Sequence, residues 1–343
     1  MRNIALSITL ATLALVSQAA AIRTSLTASD TKGKIEFMSG ANQTTLDEIQ
    51  SGSVQMTSKI TGEISFPGNG LFGGGVKATA NNKVPAMVIM HSSGGINKTI
   101  YEWADYFNSK GYATLVVDSF NPRGFSRTAE DQSVMSWETS GVDALMALKL
   151  MASHPLIDSK RIGIIGFSKG ATAGMMASLE SFRAKLISPD IQYAAHILYY
   201  GGCSIHGKTT GKPILSLVGD IDDHVGGDRC AFNNDQLVAQ GANAKIVVYP
   251  NTHHGFDTGN KVTFRPKGYN WVKCGLALSR NFDNGTAVVQ GLGSFPTFNA
   301  ARKASINDPT CEAKGAGSSD GANFDSASKA KKEVESLLNV YFK

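Results

Sequence analysis

Short apolar blocks alternate with amphipathic stretches along most of this chain. Residues 84–90, 113–117, 194–199, 214–218 and 244–249 are apolar runs of strand length, and each reads as a strand. Between them, helices are predicted over 99–110, stopped by Gly111, over 141–151 with Val142, Leu145, Met146 and Leu148 on one face, and over 230–240. Strand and helix keep alternating, which predicts an α/β fold with a mostly parallel central sheet flanked by helices. Upstream, Ile60, Gly62, Ile64 and Phe66 alternate as in a half-buried strand, followed by a glycine-rich loop over 67–75. Residues 22–52 lack sustained periodicity and predict an extension with one short strand near Ile35 and Phe37. Residues 258–325 break the rhythm; they are rich in Gly, Asn and Lys and predict a loop-rich insertion. The pattern resumes over 326–342 as an amphipathic helix, with Val334, Leu337, Leu338 and Tyr341 on the side expected to dock on the sheet. The expected organisation is a first segment over 1–21, an extension with the first strands over 22–82, and one α/β domain over 83–343. No internal repeat interrupts this scheme.

Composition changes the picture at three points. Arg2, the apolar stretch 4–16 and the small residues Ala19, Ala20 and Ala21 predict a cleaved export signal ending before Ile22; the alternative is a buried N-terminal helix. The apolar stretch is too short for a membrane span, so a periplasmic or secreted protein is expected. Lys and Arg number 33 against 28 Asp and Glu, a mild and dispersed excess without a basic tract suited to nucleic acid. Four cysteines in an exported chain predict two disulfides. The preferred pairing is Cys203 with Cys230, joining loops after successive strands, and Cys274 with Cys311, closing the insertion; free buried thiols are the alternative.

The candidate chemistry centres on Gly166-Phe167-Ser168-Lys169-Gly170. An apolar strand (Ile162, Ile164, Ile165) precedes it and a run of small and apolar residues follows. That is the context of a nucleophile elbow, in which a strained serine stands between a strand and a helix N-terminus. The chain contains its own control, since Gly317-Ser318-Ser319-Asp320-Gly321 also fits Gly-x-Ser-x-Gly. No apolar strand precedes that copy, which reads as loop. A serine nucleophile needs a base, and the base an orienting acid. The strand at 214–218 ends in Gly219-Asp220-Ile221-Asp222-Asp223-His224, and that at 244–249 leads to Pro250, then His253-His254-Gly255-Phe256. Nucleophile, acid and base candidates thus follow successive strands in one direction.

These pieces, with Asp118-Ser119-Phe120 and Pro122-Arg123-Gly124, resemble the dienelactone hydrolase-like branch of the α/β-hydrolases over roughly residues 84–257. The resemblance implies Ser168 as nucleophile, Asp222 as acid and His254 as base, with Asp220, Asp223 and His253 as the alternatives for acid and base. It implies an oxyanion hole from the backbone N–H of Lys169 and one in His91-Ser92-Ser93-Gly94-Gly95, Ser93 before Ser92. Dienelactone hydrolases proper carry cysteine at the nucleophile, so Ser168 turns the expectation from lactones toward general esters. Arg123 is expected either to bind a substrate carboxylate or to brace its loop.

His206 and His224 are expected as solvated loop residues rather than metal ligands, and Tyr199, Tyr200 and Trp271 either line a cleft or belong to the core. Asn42, Asn97 and Asn284 begin glycosylation sequons. The reading is an exported serine hydrolase acting on small-molecule or polymeric carboxylic esters, with no cofactor, metal or nucleic-acid partner expected. A secreted peptidase of prolyl oligopeptidase type is the rival within catalysis, and a binding protein on a hydrolase fold is the rival outside it.

Overall fold

The computed structural model describes residues 22–68, 78–306 and 312–342. The signal segment expected over 1–21 lies outside the described residues, as do most of the glycine-rich loop and Cys311.

The apolar runs form one sheet. Its strands are β1 (Lys32–Ser39), β2 (Ser58–Ser65), β3 (Val84–Met90), β4 (Ala113–Asp118), β5 (Ile157–Phe167), β6 (Ala195–Tyr199), β8 (Ile214–Gly219) and β9 (Ala244–Tyr249), with a two-residue β7 (Ile205–His206) outside it. The order is β1-β2-β4-β3-β5-β6-β8-β9. The pairs β1–β2 and β2–β4 are antiparallel, and the others are parallel. The interior strands β3, β5 and β6 are buried along both faces, which is why they read as continuous apolar runs rather than alternating ones.

Helices α1 (Leu46–Ser51), α2 (Lys98–Ser109), α3 (Trp137–Ala152), α4 (Lys169–Ser178), α5 (Glu180–Arg183) and α6 (Gly227–Ala239) alternate with these strands. Side chains of α3, α4 and α6 share one apolar cluster with Val88 and Ile164. Those of α2 and the last helix share another with Ile89 and Ile165 on the opposite face. Caps set several helix starts: Asn97 accepts from Ile100 N–H, and Ser136 from Thr139 N–H. The expected single face of α3 is replaced by burial nearly all round. The helix packs against α4 and the sheet and is covered by the N-terminal extension, where Thr139 and Asp143 bond Ala41 and Ser39.

The extension holds a helix the periodicity did not predict, α1. Thr45 and Glu48 form a capping box at its start and Gly52, in the left-handed region, ends it. The insertion is also more ordered than expected. It contains β10 (Thr263–Arg265), β11 (Leu278–Asn281), β12 (Ala287–Val289), β13 (Gly293–Phe295), α7 (Phe298–Ser305) and β14 (Ser318–Asp320). One small sheet runs β13-β12-β11-β7, and another pairs β10 with β14. Strands of three or four residues are too short to show a readable period. The copy of Gly-x-Ser-x-Gly at 317–321, expected as loop, supplies β14. Finally α8 (Phe324–Tyr341) docks through Ala330, Val334 and Leu338, while Tyr341 stays exposed.

Candidate active site

At the carboxyl end of β5 the chain turns into α4 within one residue. Ser168 takes φ 53° and ψ −109°, a conformation that costs a non-glycine residue about 1–3 kcal/mol. The flanking glycines make the turn possible. A Cβ on Gly166 would lie 2.1 Å from the Gly170 carbonyl oxygen, and one on Gly170 would lie 2.3 Å from the Met90 carbonyl oxygen. The start of α4 therefore rides directly on the end of β3. Two further non-glycine residues with positive φ, Tyr200 and Asn251, follow the ends of β6 and β9. All three such residues among those described lie at the carboxyl ends of parallel strands, and strain of this kind points to a candidate site there.

Ser168 Oγ lies 3.0 Å from His254 Nε2, and His254 Nδ1 lies 2.8 Å from Asp222 Oδ2. The other Asp222 oxygen accepts from the backbone N–H groups of His224 (2.9 Å) and Val225 (3.1 Å). Burial alone would raise the Asp222 carboxyl, but the neighbouring His254 and these hydrogen bonds hold it below the usual carboxylate range. Burial likewise acts to lower His254, and the Asp222 charge and hydrogen bond outweigh it, so the imidazole sits above its ordinary value. Of the alternatives, the two carboxylates are engaged elsewhere. Asp220 accepts from Thr252 N–H, and Asp223 accepts from Ser319 N–H. His253 has a buried Nδ1 without a hydrogen-bond partner.

Two aromatic rings flank the imidazole. His224 stacks on His254 at 4.3 Å between centroids and 22° between planes, and Tyr200 meets it at 4.7 Å. Tyr200 is tethered by its hydroxyl to Asp257 (2.7 Å), which also accepts from Trp103 Nε1 (3.1 Å). The expectation of a solvated His224 is corrected: burial and the adjacent His254 push it down to about 3, so it stays neutral. His206 is also buried, with Nδ1 2.7 Å from Ser279 Oγ. Among the described residues no three or more His, Cys, Asp and Glu side chains gather in a group that could hold a metal ion. Tyr199 belongs to the core, and Trp271 stacks on Tyr269 with 39% of its surface exposed.

Of the two roles expected for Arg123, the contacts fit the brace rather than the substrate site. Its guanidinium is 2% exposed and forms two 2.8 Å hydrogen bonds to Asp143, whose side chain is fully buried. It also donates to the carbonyls of Ser119 and Gly40. A buried carboxylate demands such a partner, and both terminal nitrogens of the guanidinium brace the loop after β4.

The two expected oxyanion donors lie on adjoining segments. Lys169 is the first residue of α4, where the backbone N–H has no intrahelical acceptor. Ser93 is buried on the loop after β3. That loop is held by His91, whose Nε2 accepts from Ser119 N–H (3.2 Å), leaving Nδ1 to donate to the Ser92 carbonyl (2.8 Å). Burial lowers the His91 pKa, consistent with the neutral tautomer these contacts require. The Lys169 side chain turns inward. Its ammonium donates to the Met135 carbonyl (2.7 Å), sits 4.5 Å above the Trp137 ring, and is pushed down to about 8 by burial. The insertion reaches the same site: Gly321 N–H donates to the His254 carbonyl (2.9 Å), and Gln132 N–H donates to the Tyr269 hydroxyl (3.3 Å).

Cys203 and Cys230 are disulfide-bonded, as expected, although Cys230 lies in the first turn of α6 rather than in a loop. Cys274 is also disulfide-bonded; its expected partner, Cys311, lies outside the described residues.

Comparison with known proteins follows the same lines. The model of the dienelactone hydrolase family matches residues 72–281. A Bradyrhizobium protein named as a probable 2-oxo-3-(5-oxofuran-2-ylidene)propanoate lactonase is 21% identical over 215 residues, 55% of this chain and 80% of that protein. Among solved structures, one designated m3DLH is 15% identical, with a TM-score of 0.51 over 91% of this chain and all of that one. A dienelactone hydrolase-like protein of Klebsiella pneumoniae is 17% identical (TM-score 0.45), covering 66% of this chain and 89% of its own. An esterase of Thermogutta terrifontis, solved with propionate, is 14% identical (TM-score 0.45), covering 57% and 80%.

Proposed function

Because the chain belongs to the dienelactone hydrolase family, we propose that it is a serine hydrolase cleaving carboxylic esters through an acyl-enzyme on Ser168. The observation that carries this reading is the unbroken hydrogen-bonded series Asp222–His254–Ser168, its serine on a strained elbow. His254 Nε2 takes the Ser168 proton as Oγ attacks the ester carbonyl. Asp222 keeps the second imidazole proton on Nδ1 and stabilises the imidazolium as it forms. The backbone N–H groups of Lys169 and Ser93 receive the negative oxygen of the tetrahedral intermediate. The imidazolium then protonates the departing alcohol. In the second half a water, deprotonated by His254, releases the acid and restores the serine.

A lactone is an internal ester, so the same steps open a ring; the named activity of the Bradyrhizobium relative puts lactones into the substrate panel. Export is part of the proposal, supported by the apolar stretch 4–16 and by the Cys203–Cys230 bridge, which suits an oxidising compartment.

The test is labelling with a fluorophosphonate probe beside turnover of a series of acyl esters and lactones. Wild-type protein is expected to label and to turn over an ester, and Ser168→Ala to do neither while melting at an unchanged temperature. Residual turnover in Ser168→Ala near the wild-type rate would remove the serine from the mechanism.

A further inference from the structure

We propose that Gln132 is a positioning residue for the oxyanion hole, tying the residue that carries one donor to the residue that carries the other. The inference rests on the acyl-enzyme reading above. Gln132 opens the second of two 3-10 turns between β4 and α3, residues 132–134. Its Nε2 donates to Ser93 Oγ at 2.9 Å, while its Oε1 lies 3.3 Å from Lys169 Nζ and 3.3 Å from Thr128 Oγ1. Thr128 in turn donates its backbone N–H to the Ser93 carbonyl at 2.8 Å. Ser93 is therefore gripped at its hydroxyl and at its own carbonyl, while the peptide that carries its N–H is held on the other side by His91 Nδ1 at the Ser92 carbonyl.

An oxyanion hole works only if its donors keep a fixed spacing through the reaction, since reorganisation at the moment of charge development forfeits the gain. Here the donors sit on segments far apart in sequence, the elbow and the loop after β3. Backbone contact alone joins them along one side, where Gly170 passes over Met90. The Lys169 side chain makes the second connection. It leaves the same residue whose N–H is one donor, reaches Gln132, and through the amide holds the residue that supplies the other. The link is part-buried, and a charged donor strengthens it at the lysine end.

The experiment is a double-mutant cycle on Gln132→Met, Ser93→Ala and the pair, with kcat and KM for a short-chain aryl ester and the inhibition constant of a trifluoromethyl ketone. Gln132→Met should lower kcat by about tenfold to a hundredfold, a part of what loss of one oxyanion donor costs, with KM within about threefold. Affinity for the ketone, which mimics the tetrahedral intermediate, should fall in parallel. Because Gln132 acts through the Ser93 hydroxyl, the double variant should be no slower than the slower single one. Turnover by Gln132→Met within about twofold of wild type, or losses that simply add, would overturn the proposal. If Gln132→Met does not fold, Ser93→Ala alone carries the same expectation, and an unchanged kcat there overturns it equally. A wild type that neither labels nor turns over an ester would sink the underlying reading together with this one. An active wild type with an unaffected Gln132→Met sinks this one alone.

Discussion

Arg123 and Asp143 show how closely a structural pair can imitate a binding site at the scale of single residues. Both side chains are buried, and each oxygen of the carboxylate receives one guanidinium N–H. Removing one partner strands the other charge, so Arg123→Ala is expected to lose about 3–5 kcal/mol of stability. Thermal or urea unfolding measures it; loss of activity with an unchanged melting temperature would restore the substrate role. His254 gives a second residue-level prediction. In the proposed mechanism its neutral form is the base, and the Asp222 carboxylate holds its pKa above the ordinary imidazole value. The acid limb of kcat/KM against pH should therefore fall above about 6.5, and Asp222→Asn should shift that limb toward lower pH as well as slow turnover. Ser168, Asp222 and His254 were legible beforehand because each sits in a local motif just past a strand. Gln132 and His224 were not. Their partners at 93, 169 and 254 are brought near only by the folded sheet, and a lone glutamine carries no local signature.

Among elements, the junction of β3, β5 and α4 tolerates the least change. A methyl group at residue 170 would press on the Met90 carbonyl, so Gly170→Ala should cost about 1–3 kcal/mol and lower kcat by displacing the helix that carries Lys169. Differential scanning calorimetry beside ester kinetics tests both halves. Helix α6 is tied to the end of β6 by the Cys203–Cys230 bridge across 27 residues. Its removal in Cys203→Ala/Cys230→Ala is expected to cost about 3 kcal/mol, read as a lowered denaturation midpoint. The sheet and its main helices were legible because buried parallel strands and their crossovers write long, periodic signals. The insertion was not, because strands such as β10 and β14 have three residues each and depend on pairing with distant chain. The capping box at Thr45 and Glu48 was a readable cue to α1, though a six-residue helix offers almost no periodicity to support it.

Across the whole molecule, histidine protonation sets the direction of pH sensitivity. Five of the seven histidines (His91, His154, His196, His206 and His224) are lowered by burial, His196 to about 4 and His224 to about 3. Below about pH 6.5 the unfolded chain takes up protons these folded positions refuse, so stability present at neutral pH drains away on acidification. His254, raised, works in the opposite sense and is outnumbered. Melting temperature should fall steadily from pH 7 to pH 4.5, and a flat profile would contradict the buried neutral state of these side chains. The bond from Gly321 N–H to the His254 carbonyl has a consequence for the order in which the molecule comes into being. Synthesis delivers Ser168, Asp222 and His254 well before the strand that closes on the histidine loop. A growing chain thus holds the whole proposed triad before it holds the brace, and competence to turn over substrate should switch on late, with the arrival of residues 318–341, which also carry α8, rather than with His254 itself.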